Sequence, residues 1–409
     1  MKELPISKKI AIFGGGRWSK ILLDILIKNT KSNIEFSVHT KHLVDEMLQW
    51  SKRNNYIDRI TITSTDPNLD QKYFGAVVVN SAKYHKEKAL LAIKSRIPVL
   101  VEKPMTPTFT ETKELIDLAQ DYDTQLLSSW VFRYAKYIDN FIASIKEFEP
   151  IQEVDIIWTD PINENRNGEI KTFDRAIPLF EDVMPHLLSI LSKVLNCNDF
   201  KFQNSLIRRG GASIEILLLS GNVKCNLKIQ RNASQRVRKI LINSRKDVFL
   251  DFSNEPGVIK IKDKEYIGDS EWDKSPRPLT MMIIDFLEAI DNKKSSNKNL
   301  DNNLALTVSR LNDEVKIYYH DSLYKWFMSI ISNKEKAIKK NDLIYFISEI
   351  IYKESSLPHE DKDKMISKFM KFMLDNLKNE SFYESFSKEF SPNHLIEDVN
   401  YKIFSICAK

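Results

Sequence analysis

KKIAIFGGGRWS, from Lys8 to Ser19, decides the fold. A basic pair opens an apolar run, Ile10 to Phe13, and three glycines follow it. From Arg17 onward the apolar residues of RWSKILLDILIK recur at helical spacing. Strand, glycine turn and helix in that order begin a βαβ unit. GGGRWS, Gly14 to Ser19, has the spacing of the dinucleotide fingerprint GxGxxG, with Ser19 at the third glycine. Gly14 allows the tight turn and Gly16 lets a pyrophosphate approach the backbone, while the helix N-terminus offers free N–H groups and a positive dipole. Serine is small enough to keep the helix close to the strand.

Outward from this turn, NIEFSVHT, RITITST, FGAVVVNS, IPVLVEKP and TQLLSSWVF alternate with helix-length periodic segments as far as residue 135. The unbroken VVV at 77–79 and VLV at 99–101 suit parallel strands covered on both faces. Residues 1–135 are therefore predicted to form a doubly wound Rossmann domain.

The end of the second strand reads Ser37, Val38, His39, Thr40, Lys41, His42, with no carboxylate before Asp45. An acidic residue at this place binds the ribose 2'-hydroxyl of NAD. A hydroxyl followed by a cation suits a 2'-phosphate instead, so NADP(H) is expected over NAD(H), with Arg17 available to stack on adenine or to meet that phosphate.

Beyond a helix near Tyr134 to Lys146 the texture changes. IQEVDIIWTD, ASIEILLLSG, NVKCNLKIQR, RKILINS and VIKIKDKEYI follow one another with turn signals between them, interrupted by an amphipathic helix from Phe180 to Leu195 and followed by two helices between Pro278 and His320. This predicts an α+β domain over 136–320, with a mainly antiparallel sheet, serving substrate binding and oligomerisation. From Asp321 only helical periodicity remains, in WFMSIIS, LIYFISEIIY, MISKFMKFMLDNL and FYESFSKEF, so 321–409 is read as a helical extension that packs on the sheet or joins subunits in a homo-oligomer. The fold class is α/β throughout the first domain and α+β in the second.

VEKP, Val101 to Pro104, completes a set with the glycine loop, Asn80, Ser81 and His85 after the fourth strand, and Arg133 after the sixth. Over about 320 residues this set resembles the glucose-fructose oxidoreductase and inositol dehydrogenase (Gfo/Idh/MocA) family. The resemblance implies that Lys103 lies beside the nicotinamide and substrate. It also implies that Asp182 and His186, in the stretch Asp182-Val-Met-Pro-His186 that stands where the family has D-x-G-x-H, supply further active-site groups. Relatives of this kind act on sugars, inositols and cyclic imines. Two departures from the family pattern bear on substrate: Met184, followed by Pro185, stands at the motif glycine, and the run Ala176 to Glu181 is bulky and partly charged where glycines are usual.

The chemistry accounts for these residue types. Hydride transfer at a carbon bearing oxygen or nitrogen needs a proton moved at the heteroatom, and a lysine or histidine serves. Lys103 follows a buried strand, at the sheet edge where such folds bind ligands, and Asp182 and His186 are four apart on one helix face. The catalytic set is thus Lys103, His186 and Asp182. The cofactor set is Gly14, Gly16, Arg17, Trp18, Ser19, Thr40, Lys41, Asn80, Ser81, His85, Glu102 and Lys103. Trp130, Phe132 and Tyr134 alternate as strand residues do and either line the cofactor pocket or pack in the core. The polar loop from Asp160 to Arg175 either contacts substrate or is a solvated connection.

Composition narrows the rest. Of 409 residues, 61 are basic and 56 acidic, interspersed to a net +5, so no nucleic-acid partner is implied. Three scattered cysteines, Cys197, Cys225 and Cys407, argue for a reducing cytoplasm and against a disulfide framework or zinc site, and no metal is expected. No leader or membrane span is read in the sequence. The expected function is an NADP-dependent oxidoreductase acting on a small polar metabolite, sugar-like or a cyclic imine, in a biosynthetic pathway. The alternative is a catalytically silent dinucleotide-binding regulatory protein with a partner-binding helical tail, against which the joint presence of Lys103, Asp182 and His186 argues.

Overall fold

A computed structural model describes residues 8–162, 164–166, 169–170, 177–292, 298–332, 340–354 and 359–376. Cys407, Ala176 and the FYESFSKEF segment lie outside the described residues, as do parts of the 160–175 stretch.

The first sheet has six strands, β1 (Lys8–Phe13), β2 (Ile34–His39), β3 (Ile60–Thr63), β4 (Tyr73–Val78), β5 (Val99–Val101) and β6 (Leu126–Ser128). All pair in parallel, in the order β3-β2-β1-β4-β5-β6, as the predicted doubly wound Rossmann sheet requires. The connections are α1 (Arg17–Lys28), α2 (Val44–Arg53), α3 (His85–Lys94) and α4 (Phe109–Asp121), with α5 (Lys136–Ser144) after the last strand. The central strands β1, β4 and β5 read as near-continuous apolar runs, as strands covered on both faces do. Ile10, Ile12, Val38, Val77 and Leu100 all fall in one buried cluster.

The second sheet has eight strands: β7 (Glu153–Pro161), β10 (Lys201–Arg208), β11 (Ser213–Ser220), β12 (Val223–Ala233), β13 (Val237–Ile242), β14 (Val248–Asp251), β15 (Val258–Ile261) and β16 (Lys264–Ile267). A separate two-residue pair, β8 (Asn165–Arg166) with β9 (Glu169–Ile170), lies in the 160–175 loop. The order is β10-β11-β12-β7-β13-β14-β15-β16, antiparallel except where β12 runs parallel to β7. Period-2 alternation turns Cys225, Leu227, Ile229, Ile240 and Ile242 inward, where all are buried.

The remaining helices are α6 (Leu179–Val194), α7 (Pro278–Asn292), α8 (Asn303–Ser332), α9 (Lys340–Glu354) and α10 (His359–Asn376). α8 is continuous through His320 and Asp321. Contacts group the chain into two units that do not follow sequence order. The first comprises Met1–Ile142, Leu188–Asn198 and Asp269–Arg310; the second comprises Ala143–Leu187, Asp199–Gly268 and Leu311–Lys409. In the first unit Met282, Ile283, Phe286 and Ile290 of α7 belong to the same buried cluster as the Rossmann strands. In the second, α9 buries Leu343, Phe346, Ile347 and Ile351, and Phe346 stacks on Phe327 of α8 with ring centroids 4.6 Å apart.

Candidate active site

The glycine turn after β1 is built by contact. Gly14 has φ +134°, and a Cβ there would lie 2.9 Å from both the carbonyl carbon and oxygen of Val79, so no other residue fits. Its N–H donates to the His39 carbonyl at 3.0 Å, tying the turn to the end of β2. Gly16, the N-cap of α1, is different: a Cβ there would meet nothing within 4 Å, and no side chain caps the helix. Space is therefore open beside the first turn of α1, where the helix dipole suits an anion. Ser19 is buried, and its hydroxyl donates to the Gly14 carbonyl at 2.8 Å. The residue that replaces the third glycine thus closes the turn as well as keeping the helix close.

At the end of β2, His39 turns inward. Its Nδ1 pairs with the Thr65 carbonyl at 2.8 Å and its Nε2 with the Ser37 hydroxyl at 2.9 Å, a set that the neutral ring satisfies in full. Burial lowers its pKa. Thr40 packs on Gly15, where a Cβ would fall 2.8 Å from its hydroxyl, and Lys41 is exposed. Asp66 also approaches His39 but is paired with Lys88 at 2.7 Å.

The ends of β4 and β5 bring a group of polar atoms together. His85 is buried with its ring nitrogens 2.8 Å from the Pro104 carbonyl and 3.0 Å from the Asn80 carbonyl, so it ties these two segments together. Ser81 precedes the 3-10 turn Ala82–Tyr84 and is exposed. The Lys103–Pro104 bond is cis. The carboxyl of Glu102 lies beside Trp18, Lys103 and Ser129, and burial pushes its pKa up against the pull of Lys103. Trp18 and Ser129 hydrogen-bond that carboxyl, whereas Asn80 Oδ1 is, among the described residues, a buried side-chain atom without a hydrogen-bond partner. Such atoms are costly unless something completes them.

Trp130, Phe132 and Tyr134 are not on a strand, since β6 ends at Ser128 and Val131–Tyr134 form a 3-10 turn. Trp130 is buried and its Nε1 donates to the Asp301 carbonyl at 3.2 Å, a core role. Desolvation lowers the pKa of Arg133, partly offset by Asp301.

In the second unit, Asp182 lies in the first turn of α6, and its carboxylate accepts from Nη2 of Arg231 at 2.7 Å. His186, one turn on, stacks on Trp158 of β7 with centroids 5.7 Å apart and planes 16° from parallel. Arg238 lies 3.6 Å from the centre of that same indole and is paired with Asp160. Glu164 is paired with Arg236 at 2.8 Å. Arg231, Trp158 and Arg238 were not among the predicted site residues. A signal existed: Arg231 and Arg238 occupy the inward positions of their strands, in register with buried Ile229 and Ile240, and a buried arginine needs a partner.

Residues 8–129 match the model of the GFO_IDH_MocA oxidoreductase family, NAD-binding Rossmann fold. This domain belongs to the Gfo/Idh/MocA family. Solved structures extend the likeness in fold. A UDP-N-acetylglucosamine 3-dehydrogenase from Acidithiobacillus ferrooxidans aligns with TM-score 0.61 and 16% identity over 77% of this chain and 99% of its own. A 3-ketoreductase from Actinomadura kijaniata, in complex with NADP and TDP-benzene, gives 0.61 and 15% over 76% and 97%. A Gfo/Idh/MocA oxidoreductase from Vibrio cholerae gives 0.58 and 16% over 76% and 99%. No curated protein matches the sequence at a significant level. The likeness beyond the Gfo/Idh/MocA domain is one of fold. No helix among the described residues is long and apolar enough to cross a membrane, and no cluster of metal-ligating side chains is found among them.

Proposed function

We propose that the chain is an NADP-dependent oxidoreductase acting at a carbon–oxygen bond of a small sugar-like metabolite in a biosynthetic pathway, with a cyclic imine as the second substrate class. The observation that carries this reading is the combination at the first sheet's carboxyl edge of open space over Gly16 with the buried polar groups of Glu102, Trp18 and Asn80, of which Asn80 Oδ1 lacks a partner. Backbone N–H groups suit a pyrophosphate and buried polar side-chain groups suit a polar ring. The named activities of the structural relatives, a sugar-nucleotide 3-dehydrogenase and a 3-ketoreductase, favour an alcohol or ketone over an imine.

In this reading residues 1–135, with α7 in their core, bind the cofactor; 136–320 serve substrate and oligomerisation; and 321–409 are an accessory extension of a homo-oligomer. The nicotinamide, when bound, supplies or accepts the hydride. The chain's own residues do the rest. Gly14, Gly16 and Ser19 hold the pyrophosphate turn, Thr40 and Lys41 meet the 2'-phosphate, and Arg17 stacks on adenine or meets that phosphate. Asn80, Ser81, His85, Trp18 and Glu102 shape and orient the nicotinamide end. Lys103 moves the proton at the substrate heteroatom, with His186 assisting and Asp182 fixing geometry. Titration of the protein with NADPH and NADH, followed by turnover assays on a panel of nucleotide-sugar alcohols and ketones and of cyclic imines, tests this. Tight NADPH binding with turnover of a sugar substrate is expected. Binding without turnover of any substrate would favour a silent regulatory protein, and no cofactor binding would end the reading.

A further inference from the structure

The helical extension reaches the side chains that hold Asp182. Arg231 sits at an inward position of β12, its side chain only 3% exposed, and it extends two arms. Nη2 donates to Asp182 Oδ2 at 2.7 Å, while Nη1 donates to the hydroxyl of Tyr345 on α9 at 3.1 Å and to the Ile177 carbonyl at 3.5 Å. Because a guanidinium is a rigid planar fork, fixing one arm fixes the direction of the other. Burial alone would press the Arg231 pKa down, but Tyr345 and Asp182 outweigh it and the net shift is upward, so the cation persists. Asp182 itself is 37% exposed. One oxygen is pinned from inside while the group still opens to solvent.

The approach of the extension is built into the fold in a second, independent way. The turn Arg209–Gly211 between β10 and β11 receives α8 and α9. A Cβ on Gly211 would fall 2.3 Å from the Tyr319 hydroxyl and 2.9 Å from Glu349, so only glycine permits the contact. Beside it Arg209 pairs with Asp342 at the start of α9, Nη2 to Oδ1 at 3.0 Å, and Tyr319 donates to Glu349 at 2.7 Å. These contacts fix the axial position of α9 and hence of Tyr345.

We propose that helix α9 positions the Asp182 carboxylate through Tyr345 and Arg231, which makes the extension a working part of the second unit's catalytic apparatus. Tyr345 and Arg231 are positioning residues, and the proposal rests on the reading of Asp182 as an active-site group. An extension that merely covered apolar surface would have no use for a buried arginine shared between it and an active-site acid.

The test uses the full chain with four substitutions: Tyr345→Phe, Arg231→Lys, Tyr319→Phe and Asp182→Asn. Carbon-13 NMR of aspartate carboxyls, with the Asp182 signal assigned by its loss in Asp182→Asn, follows the titration of that group directly. Tyr345→Phe and Arg231→Lys are expected to shift it upward, since both loosen the fixed donation of the cation to Asp182 Oδ2. Tyr319→Phe removes a hydroxyl that holds Glu349 of α9 but does not bond Arg231, and is expected to shift the titration by less than either. With the substrate identified by the panel above, Tyr345→Phe should lower kcat by about 10-fold, the size of one lost hydrogen bond, with cofactor KM unchanged. An unmoved Asp182 titration in both Tyr345→Phe and Arg231→Lys overturns the proposal. So does wild-type turnover in Tyr345→Phe while Asp182→Asn is crippled. If instead Asp182→Asn turns over normally, the reading of the site fails, and the NMR shift still decides whether α9 holds the carboxylate.

Discussion

Nδ1 of His85 lies 2.8 Å from the carbonyl oxygen of Pro104, the residue after Lys103. Nε2 of the same ring lies 3.0 Å from the Asn80 carbonyl. Both partners can only accept, so the charged ring alone satisfies both. Burial nevertheless wins: the residue is 1% exposed, and desolvation lowers its pKa against the pull of its backbone partners, with Lys103 adding to the depression. The unfolded chain therefore takes up this proton first, and stability is lost as pH falls below the unfolded value of about 6.5. His39 acts in the same direction. Glu102, whose pKa is raised, acts in the opposite one, losing stability as pH rises above the unfolded carboxyl value. The contribution of His85 is isolated by comparing thermal unfolding of wild type and His85→Asn from pH 5 to 8. The variant should show the shallower loss on acidification, and parallel curves would refute the assignment.

Gly14 and Gly16 should respond oppositely to alanine. Gly14→Ala forces a Cβ into the Val79 carbonyl at positive φ and should cost about 1–3 kcal/mol of stability. Gly16→Ala meets nothing in the protein and should melt at the wild-type temperature while losing cofactor affinity, because the methyl would occupy the anion's approach. Calorimetry alongside NADPH titration separates the two, and full cofactor affinity in Gly16→Ala would place the pyrophosphate elsewhere.

Lys103→Met should leave NADPH binding nearly intact and lower kcat by about 100-fold or more, the usual scale for a lost general acid or base. Normal turnover would mean that the proton is handled by another group. Outright loss of the cofactor would mean that the lysine is structural.

Lys41 is exposed at the end of β2, and Lys41→Ala should weaken NADPH by about 1–3 kcal/mol, the range for a charge-assisted contact, with NADH almost unaffected. Equal affinity of the wild type for both cofactors would contradict the preference.

Asp342 is buried in its pair with Arg209, so Asp342→Ala strands a partly buried guanidinium and should destabilise the protein by about 2–3 kcal/mol. Removing both partners should recover part of that loss. A single variant that melts like the wild type would show that α9 is not anchored there.

The first sheet was legible because strands covered on both faces must be apolar without interruption, as VVV and VLV are. β10 carried no such signal: Lys201–Arg208 is an edge strand, mostly exposed and without clean alternation. Alternation misled at Trp130, Phe132 and Tyr134, where three aromatic residues at period 2 occupy a tight turn. For the proposed site, the residue types that the chemistry calls for stand in the sequence at Lys103, Asp182 and His186. Their supports were not legible there, since Trp158 looks like core and Tyr345 lies 163 positions from Asp182 in an unrelated helix. Periodicity also shows that Pro278–Asn292 is a helix without showing which core it joins.

Because Pro278–Asn292 joins the Rossmann core, synthesis leaves that core open for a time. The cluster under the Rossmann strands is completed by Met282, Ile283, Phe286, Ile290 and Leu300, none of which exists when the ribosome has finished the sixth strand. At 5–20 residues per second the nascent sheet waits on the order of ten to thirty seconds for its missing wall. Through that interval Ile10, Leu22 and Val77 face no α7, and the growing chain offers sticky apolar surface to chaperones and to neighbouring nascent chains. The segment that matches the Gfo/Idh/MocA domain, expressed alone, should be insoluble for the same reason, however complete its dinucleotide motif.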